Sequence, residues 1–308
     1  MSTIAITGCS GFVGRRVLDA ALRQGHQIQA WEQNPEQLAD VDSPNLHVVP
    51  WDARRGVTAA ARLAEVDAMV HLAAFIPPAY GDPNNAPKCF GINTLATLEL
   101  LEACAQTGVD RFVYTSSGNV YRPGDATACE DAPLYPSKRA PYYLASKLSG
   151  EVFVDHFRHN GDIASTAVLR PSGIYGPGMN GGVVRTFAKR LANKEPIRVN
   201  DGGRHTVDLV WVDDVADAAL AAATRDVDGP FNVGSGERTT IRQLAETLAA
   251  LCDAPDDLVD IQPADDPSET PSGFCGLDIR RARDLLDFEP TPLREGLARM
   301  IDRWTCTH

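Results

Sequence analysis

Tyr143 and Lys147 stand four residues apart within Pro141–Asn160, a segment whose apolar spacing predicts a helix. Four residues make about one helical turn, so the two side chains share a face. A phenol with an ordinary pKa of about 10 is a poor base at neutral pH. A nearby ammonium, or the positive ring of an oxidised nicotinamide, favours the phenolate and lowers that value by roughly 1–3 each. Such a tyrosine can exchange a proton with a substrate hydroxyl while hydride moves to or from a cofactor. Tyr142 cannot take this role, because the residue four positions on is Ser146.

The first strand-like run leads into Thr7-Gly8-Cys9-Ser10-Gly11-Phe12-Val13-Gly14 and then a helical pattern. Glycines at Gly8, Gly11 and Gly14 allow a tight turn and close approach of backbone to ligand. They leave a helix N-terminus free to hold a pyrophosphate, so Gly8, Ser10, Gly11, Phe12, Val13 and Gly14 are read as cofactor-binding. The spacing is G-x-x-G-x-x-G, one residue longer than the usual dehydrogenase motif. Glu32 lies 18 residues beyond Gly14, at the end of the second strand-like run. A carboxylate there accepts hydrogen bonds from ribose hydroxyls and repels a 2′-phosphate. Gln33 and Asn34 follow it without a cation, which favours NAD over NADP. Arg15 and Arg16 read as a solvated helix surface. Tyr114-Thr115-Ser116-Ser117 ends a further strand and presents hydroxyls at the carboxyl edge of a sheet, where ligands bind in this class. Each of these features is common alone; together and in this order they become specific.

Strands are expected at Thr3–Thr7, Gln27–Trp31, Leu46–Pro50, Ala68–Leu72, Arg111–Thr115 and Ala164–Leu169. Helical patterns fall at Phe12–Gln24, Val57–Ala64, Asn84–Thr107 and Pro141–Asn160. The alternation predicts an α/β fold, a doubly wound parallel Rossmann sheet with right-handed crossovers. After Pro171, Gly and Pro become frequent and the helices shorten to Asp213–Thr224, Thr240–Cys252 and Leu293–Trp304. Pro255–Gly276, containing Asp265-Asp266-Pro267, reads as a long irregular loop. The expected organisation is an NAD-binding domain over 1–171, also receiving segments near 205–235. A smaller, partly interwoven C-terminal substrate lobe spans 172–308.

The chain has 308 residues, and 41 Asp plus Glu against 29 Lys plus Arg give a net charge of −12. That balance disfavours nucleic acid as a partner and leaves a small-molecule substrate. Seven cysteines lie without a C-x-x-C pair, a pattern of reduced thiols in the cytoplasm rather than of disulfides or zinc. No signal peptide is visible and no apolar run approaches ~18 residues, so no membrane span is expected. No metal site is expected either.

The sequence resembles the extended short-chain dehydrogenase/reductases, specifically the NAD-dependent epimerase/dehydratase family, over nearly its whole length. The resemblance is carried by Thr7–Gly14, Asp52, His71-Leu72-Ala73-Ala74, Asn93, Thr115-Ser116-Ser117, Tyr143/Lys147 and Arg170-Pro171. It continues through Tyr175-Gly176-Pro177-Gly178, Val212-Asp213-Asp214-Val215 and Phe231-Asn232-Val233-Gly234. It implies Ser117 as catalytic hydroxyl, Tyr143 as acid/base, and Lys147 as the residue that holds the nicotinamide ribose and tunes Tyr143. Asp52 would meet the adenine and Ala73-Ala74 the ribose–phosphate region. Ala53, Leu72, Asn93 and Thr115 join the cofactor-binding set, and Pro171, Gly173 and Ile174 would line the nicotinamide end.

The departures narrow the activity. Dehydratases and decarboxylases of the family carry an acid one or two residues beyond the catalytic Ser or Thr, where this chain has Gly118 and Asn119. Nucleotide-sugar enzymes typically read R-P-x-N and carry an Arg before the residue matching Asp208; here Gly173 and Val207 replace those groups. Arg198, Arg204 and His205 are candidates to supply the charge, or are exposed loop residues. Two enzymatic readings follow. One is an epimerase acting at a secondary alcohol carbon of a sugar or nucleotide sugar. The other is a dehydrogenase or reductase of a non-nucleotide hydroxy or keto compound. A non-catalytic NAD sensor is disfavoured, because Ser117, Tyr143 and Lys147 are all present. The resemblance also implies a homodimer through Asn84–Thr107 and Pro141–Asn160. Leu95, Leu98, Leu101, Leu148, Val152, Phe153 and Phe157 would then serve that interface, or simply pack on the sheet.

Overall fold

A computed structural model describes residues 1–56, 63–122, 124, 127–135, 138–264, 273–274 and 276–305. Most of the helix expected over Val57–Ala64 lies outside those residues, as does Asp265-Asp266-Pro267. The first half alternates β1 (Thr3–Thr7), α1 (Phe12–Arg23), β2 (Gln27–Glu32), β3 (Leu46–Pro50) and β4 (Ala68–His71). It continues with α2 (Ala86–Phe90), α3 (Ala96–Thr107), β5 (Arg111–Thr115), α4 (Pro141–His159) and β6 (Ser165–Pro171). Beyond it come β7 (Gly173–Tyr175), α5 (Val183–Ala192), β8 (Ile197–Val199), β9 (Thr206–Val207), β10 (Leu209–Trp211) and α6 (Val212–Thr224). The last elements are β11 (Gly229–Val233), β12 (Thr239–Thr240), α7 (Ile241–Leu251), β13 (Val259–Ile261), α8 (Arg280–Leu286) and α9 (Leu293–Thr305).

Seven strands form one parallel sheet in the order β11-β6-β5-β4-β1-β2-β3. Side-chain alternation explains its two cores. In β1, Ile4 and Ile6 enter the layer with Val17 and Leu18 of α1 and with Val215 and Ala219 of α6. Ala5 enters the opposite layer with Leu100 of α3 and Val154 of α4. A strand buried on both faces loses the polar/apolar alternation of a half-exposed one, which is why these runs read as continuously apolar. Close packing of α4 on β5 depends on Gly150, where a Cβ would stand 2.3 Å from the Tyr114 hydroxyl.

The structure adds a seventh strand, β11, from the region near 205–235. Its leading Gly229-Pro230 obscures the strand pattern, but an edge position tolerates Pro. Val233 pairs with Pro171, so the strand extends the sheet beyond β6. The single helix expected over Asn84–Thr107 is instead a short 3-10 turn, α2, a π turn over Gly91–Leu95, and α3. The wider π turn aims Asn93 inward. The loop expected over Pro255–Gly276 contains β13, which pairs with β8.

A third core gathers Tyr175, Phe187 and Leu191 with Trp211, Leu244, Leu248, Leu297 and Met300. Its helix α7 starts with a capping box, in which the Thr240 and Gln243 side chains each bond the other's backbone N–H.

Candidate active site

The sheet order reverses between β1 and β4, and diverging connections there open a crevice at the strands' carboxyl ends. A cleft of about 680 Å³ occupies it, running from Trp51 and Asp52 past the glycine turn to Tyr143 and Ser172. The glycines are required by space. Gly8 has φ +76° with a would-be Cβ 2.9 Å from Ala73 N, and a Cβ on Gly14 would stand 1.9 Å from Gly8 O. The cradle fits a dinucleotide, since its floor is bare backbone at the N-terminus of α1.

Gly8, Ser10, Gly11, Phe12, Val13, Gly14, Glu32, Asp52 and Ala53 all line this cleft. So do Leu72, Ala73, Ala74, Thr115, Ser117, Tyr143, Lys147, Pro171 and Ile174. Glu32 is buried at the end of β2, where its carboxylate accepts from Ser10 N at 2.6 Å and Ser10 Oγ at 2.9 Å. Asp52 accepts from Arg54 Nη2 at 2.7 Å and Arg54 Nε at 2.9 Å, and the Arg54 guanidinium holds its carboxyl down at about 2.

Two expected residues sit beside the cleft rather than in its wall. Asn93 is buried behind it, where Oδ1 accepts from Phe75 N at 2.7 Å and Nδ2 donates to Phe75 O and Ser146 Oγ at 3.0 Å. It therefore pins the loop after β4 to the Tyr143/Lys147 helix. Gly173 donates its N–H to Asp208 O at 2.9 Å, and its bare Cα admits the neighbouring strand. Arg198 and Arg204 point to local partners, Gln262 at 3.2 Å and Asp201 at 2.7 Å. Arg16 is no solvated surface residue. It donates to Pro177 O at 3.0 Å and faces Asp213 at 3.4 Å, tying α1 to the segment after β7 and to α6.

His71 organises the strand ends. Thr7 Oγ1 accepts from Leu72 N and Ala73 N, so its proton goes to His71 Nδ1 at 2.7 Å. The ring's Nε2–H then donates to Thr97 Oγ1 at 3.0 Å, and Thr97 donates to Asn93 O. Burial, with positive Lys147 nearby, pushes His71 down to about 3, so it stays neutral.

Tyr143, Lys147 and Ser117 line the same cleft. Lys147 Nζ donates to Thr115 O at 2.7 Å and stands 5.0 Å from the Tyr114 ring centre. Burial pushes Lys147 down to about 7, against the pull of the Glu151 carboxylate. Burial, with Tyr80 and Cys89 nearby, raises the Tyr143 phenol above its usual value. The shift therefore runs opposite to the lowering expected from Lys147, whose ammonium is turned to Thr115 O instead. Thr115 Oγ1 is buried without a hydrogen-bond partner in this wall.

Several site residues escaped sequence reasoning. Tyr80 sets its ring edge-on to Tyr143, with centres 5.9 Å apart, and Phe75, Ile76, Asn119 and Ser172 also line the cleft. Ile76-Pro77-Pro78-Ala79-Tyr80, an apolar and proline-rich loop beyond a strand, is the signal that could have marked Ile76 and Tyr80.

The sequence profile of the NAD dependent epimerase/dehydratase family matches residues 4–234. The chain belongs to that family. It is an NAD-dependent enzyme of the extended short-chain dehydrogenase/reductase type. The UDP-glucose 4-epimerase of Mycolicibacterium smegmatis is 30% identical over 96% of this chain and 96% of its own. UDP-glucuronic acid decarboxylase 1 of Arabidopsis thaliana is 29% identical over 97% of this chain and 68% of its own. The solved structure of MoeE5 in complex with UDP-glucose and NAD superposes with a TM-score of 0.82, at 26% identity and 99% coverage of both chains. Among the described residues no group of three or more His, Cys, Asp or Glu side chains could hold a metal ion, and no helix is long and apolar enough to cross a membrane.

Proposed function

We propose that this family member is an epimerase acting at a secondary alcohol carbon of a sugar or nucleotide sugar. The observation that carries this reading is that Ser117, Tyr143 and Lys147 line one glycine-floored cleft. Ser117 is placed to hydrogen-bond the substrate hydroxyl and fix its direction. Tyr143 takes that hydroxyl's proton as the carbon becomes a ketone, and returns it when the carbon is reduced from the other face. Bound NAD supplies the hydride acceptor and, when oxidised, a positive charge that favours the phenolate. Glycine and asparagine at positions 118 and 119 provide no carboxylate for elimination or decarboxylation. Gly8, Ser10, Gly11, Phe12, Val13, Gly14 and Glu32 would hold the adenosine and pyrophosphate, and Asp52, Ala53, Leu72, Ala73 and Ala74 would line their path. Thr115, Lys147, Pro171, Gly173 and Ile174 would surround the nicotinamide end, with Asn93 supporting the wall from behind.

A second reading, a dehydrogenase of a non-nucleotide hydroxy or keto compound, is favoured by Gly173 and Val207. Neither residue offers a side chain that binds a diphosphate. Nucleotide content of the purified protein separates the two. Stoichiometric NAD that survives dialysis, with interconversion of UDP-glucose and UDP-galactose, supports the epimerase. Cofactor-free protein that binds NADH reversibly and leaves UDP-glucose unchanged supports the dehydrogenase. Stoichiometric NADP would overturn the role given to Glu32. The lobe over 172–308 is the proposed substrate-binding part, set on the NAD domain over 1–171. The free cysteines among the described residues support a cytoplasmic protein. Exposed Leu95, in the π turn just before α3, and exposed Val152 on α4 support a homodimer through this pair of segments.

A further inference from the structure

Tyr143, Lys147 and Glu151 recur every four residues along α4 and form one stripe on that helix. Three consecutive residues, the last of β5 and the two after it, answer it. Thr115 offers its carbonyl to Lys147 Nζ at 2.7 Å, Ser116 donates its hydroxyl to Glu151, and Ser117 lines the cleft. The Glu151 carboxylate also holds Arg170, accepting from Nη2 at 2.6 Å, and Arg170 immediately precedes Pro171 in the cleft wall. Glu151 is only 6% exposed, and it is not itself among the cleft-lining residues. One buried carboxylate therefore joins the helix, the strand end and the wall that together define the reacting geometry.

We propose that Glu151 is a positioning residue for the reaction: it fixes Ser116–Ser117 against the Tyr143/Lys147 helix and gives Lys147 a buried counter-charge. The proposal rests on the reading of Ser117, Tyr143 and Lys147 as the reacting side chains. A buried ammonium needs such compensation, because leaving water disfavours its charged form. The other groups facing this pair fit that role. His71 is neutral, the Tyr143 and Tyr114 phenols are pushed toward their neutral forms, and Arg170 from β6 shares the Glu151 charge.

The test compares Glu151→Gln, Glu151→Asp, Ser116→Ala and Tyr143→Phe with the parent enzyme. Turnover of UDP-glucose is measured per active site from pH 6 to 9, and NADH affinity over the same range by fluorescence, which needs no substrate. Glu151→Gln should lose about 10-fold or more in turnover, as displaced reacting groups do. The pH at which NADH affinity falls, as Lys147 loses its proton, should move lower by about 0.5 or more. Glu151→Asp should restore part of both. Ser116→Ala keeps the Arg170 ion pair and should lose about 10-fold in turnover at an unchanged melting temperature. An unmoved NADH midpoint in folded Glu151→Gln overturns the proposal. Unchanged turnover in Ser116→Ala does so as well, even if Glu151→Gln does not fold. Full turnover in Tyr143→Phe would instead refute the reading of the site. Loss there, with none in the Glu151 and Ser116 variants, refutes Glu151 alone.

Discussion

Tyr143 sits in an environment that by itself opposes its ionisation, since burial raises its pKa and Lys147 is directed to Thr115 O. On the proposed mechanism the phenol relies on charge brought into the cleft, and its oxygen is the group that carries the proton. Tyr143→Phe is expected to lower turnover by about 10²–10⁴-fold while NAD binding, measured by calorimetry, stays nearly unchanged. His71 carries a second prediction. Its folded pKa is pushed down to about 3, whereas an unfolded histidine titrates near 6.5. Between those values the unfolded chain binds a proton that the folded chain refuses. Stability should therefore fall as pH drops from about 6.5 toward 3, with His71 contributing at most about 1.4 kcal/mol per pH unit. His71→Gln removes that contribution. Its urea midpoint should start below the parent's at pH 7 and converge on it as the solution is acidified.

At the scale of elements, the site is assembled by cross-links between loops that regular secondary structure does not connect. The π turn over Gly91–Leu95 delivers Asn93 to both Phe75 and Ser146, coupling the loop after β4 to α4. Asn93→Ala would leave the Phe75 N–H and C=O without that partner, at a cost of about 1–3 kcal/mol. Equilibrium urea unfolding should show this loss, and NAD affinity should weaken because Leu72, Ala73 and Ala74 lie on the released loop. Asp208, between β9 and β10, acts similarly. Its buried carboxylate accepts from Ser172 Oγ at 3.0 Å, Ser235 N at 2.8 Å and Leu277 N at 3.0 Å.

For the whole molecule, the exposed apolar residues on the proposed pairing helices set the expectation. Leu95 is 56% and Val152 61% exposed, whereas Leu101 and Phe157 are buried in the sheet-facing core. Leu95, just before α3, and Val152 on α4 are thus apolar side chains not used by the core, and the proposed dimer would cover them. Size-exclusion chromatography with light scattering should give twice the monomer mass. Replacing Leu95 and Val152 with Arg together should give the monomer, with melting temperature little changed. A parent protein that elutes as a monomer would contradict the dimer.

Local chemistry made much of this legible in the sequence. Gly8 to Gly14 could be read because no side chain fits that turn, and Tyr143/Lys147 because four residues always make about one helical turn. The five inner strands β1, β2, β4, β5 and β6 were legible because burial on both faces demands runs of apolar, β-branched residues. β11 and the broken helix at Asn93 were not, since an edge strand and a π turn answer to neighbours distant in sequence. The same limit hid Tyr80, Arg16 and Glu151, whose partners lie on other elements. Tertiary structure alone decided that Lys147 turns to Thr115, that burial raises rather than lowers the Tyr143 phenol, and that one carboxylate joins three walls. Spacing and residue type act along the chain and can be read from it. Desolvation and ion pairing depend on which segments exclude water together, and only the folded chain settles that.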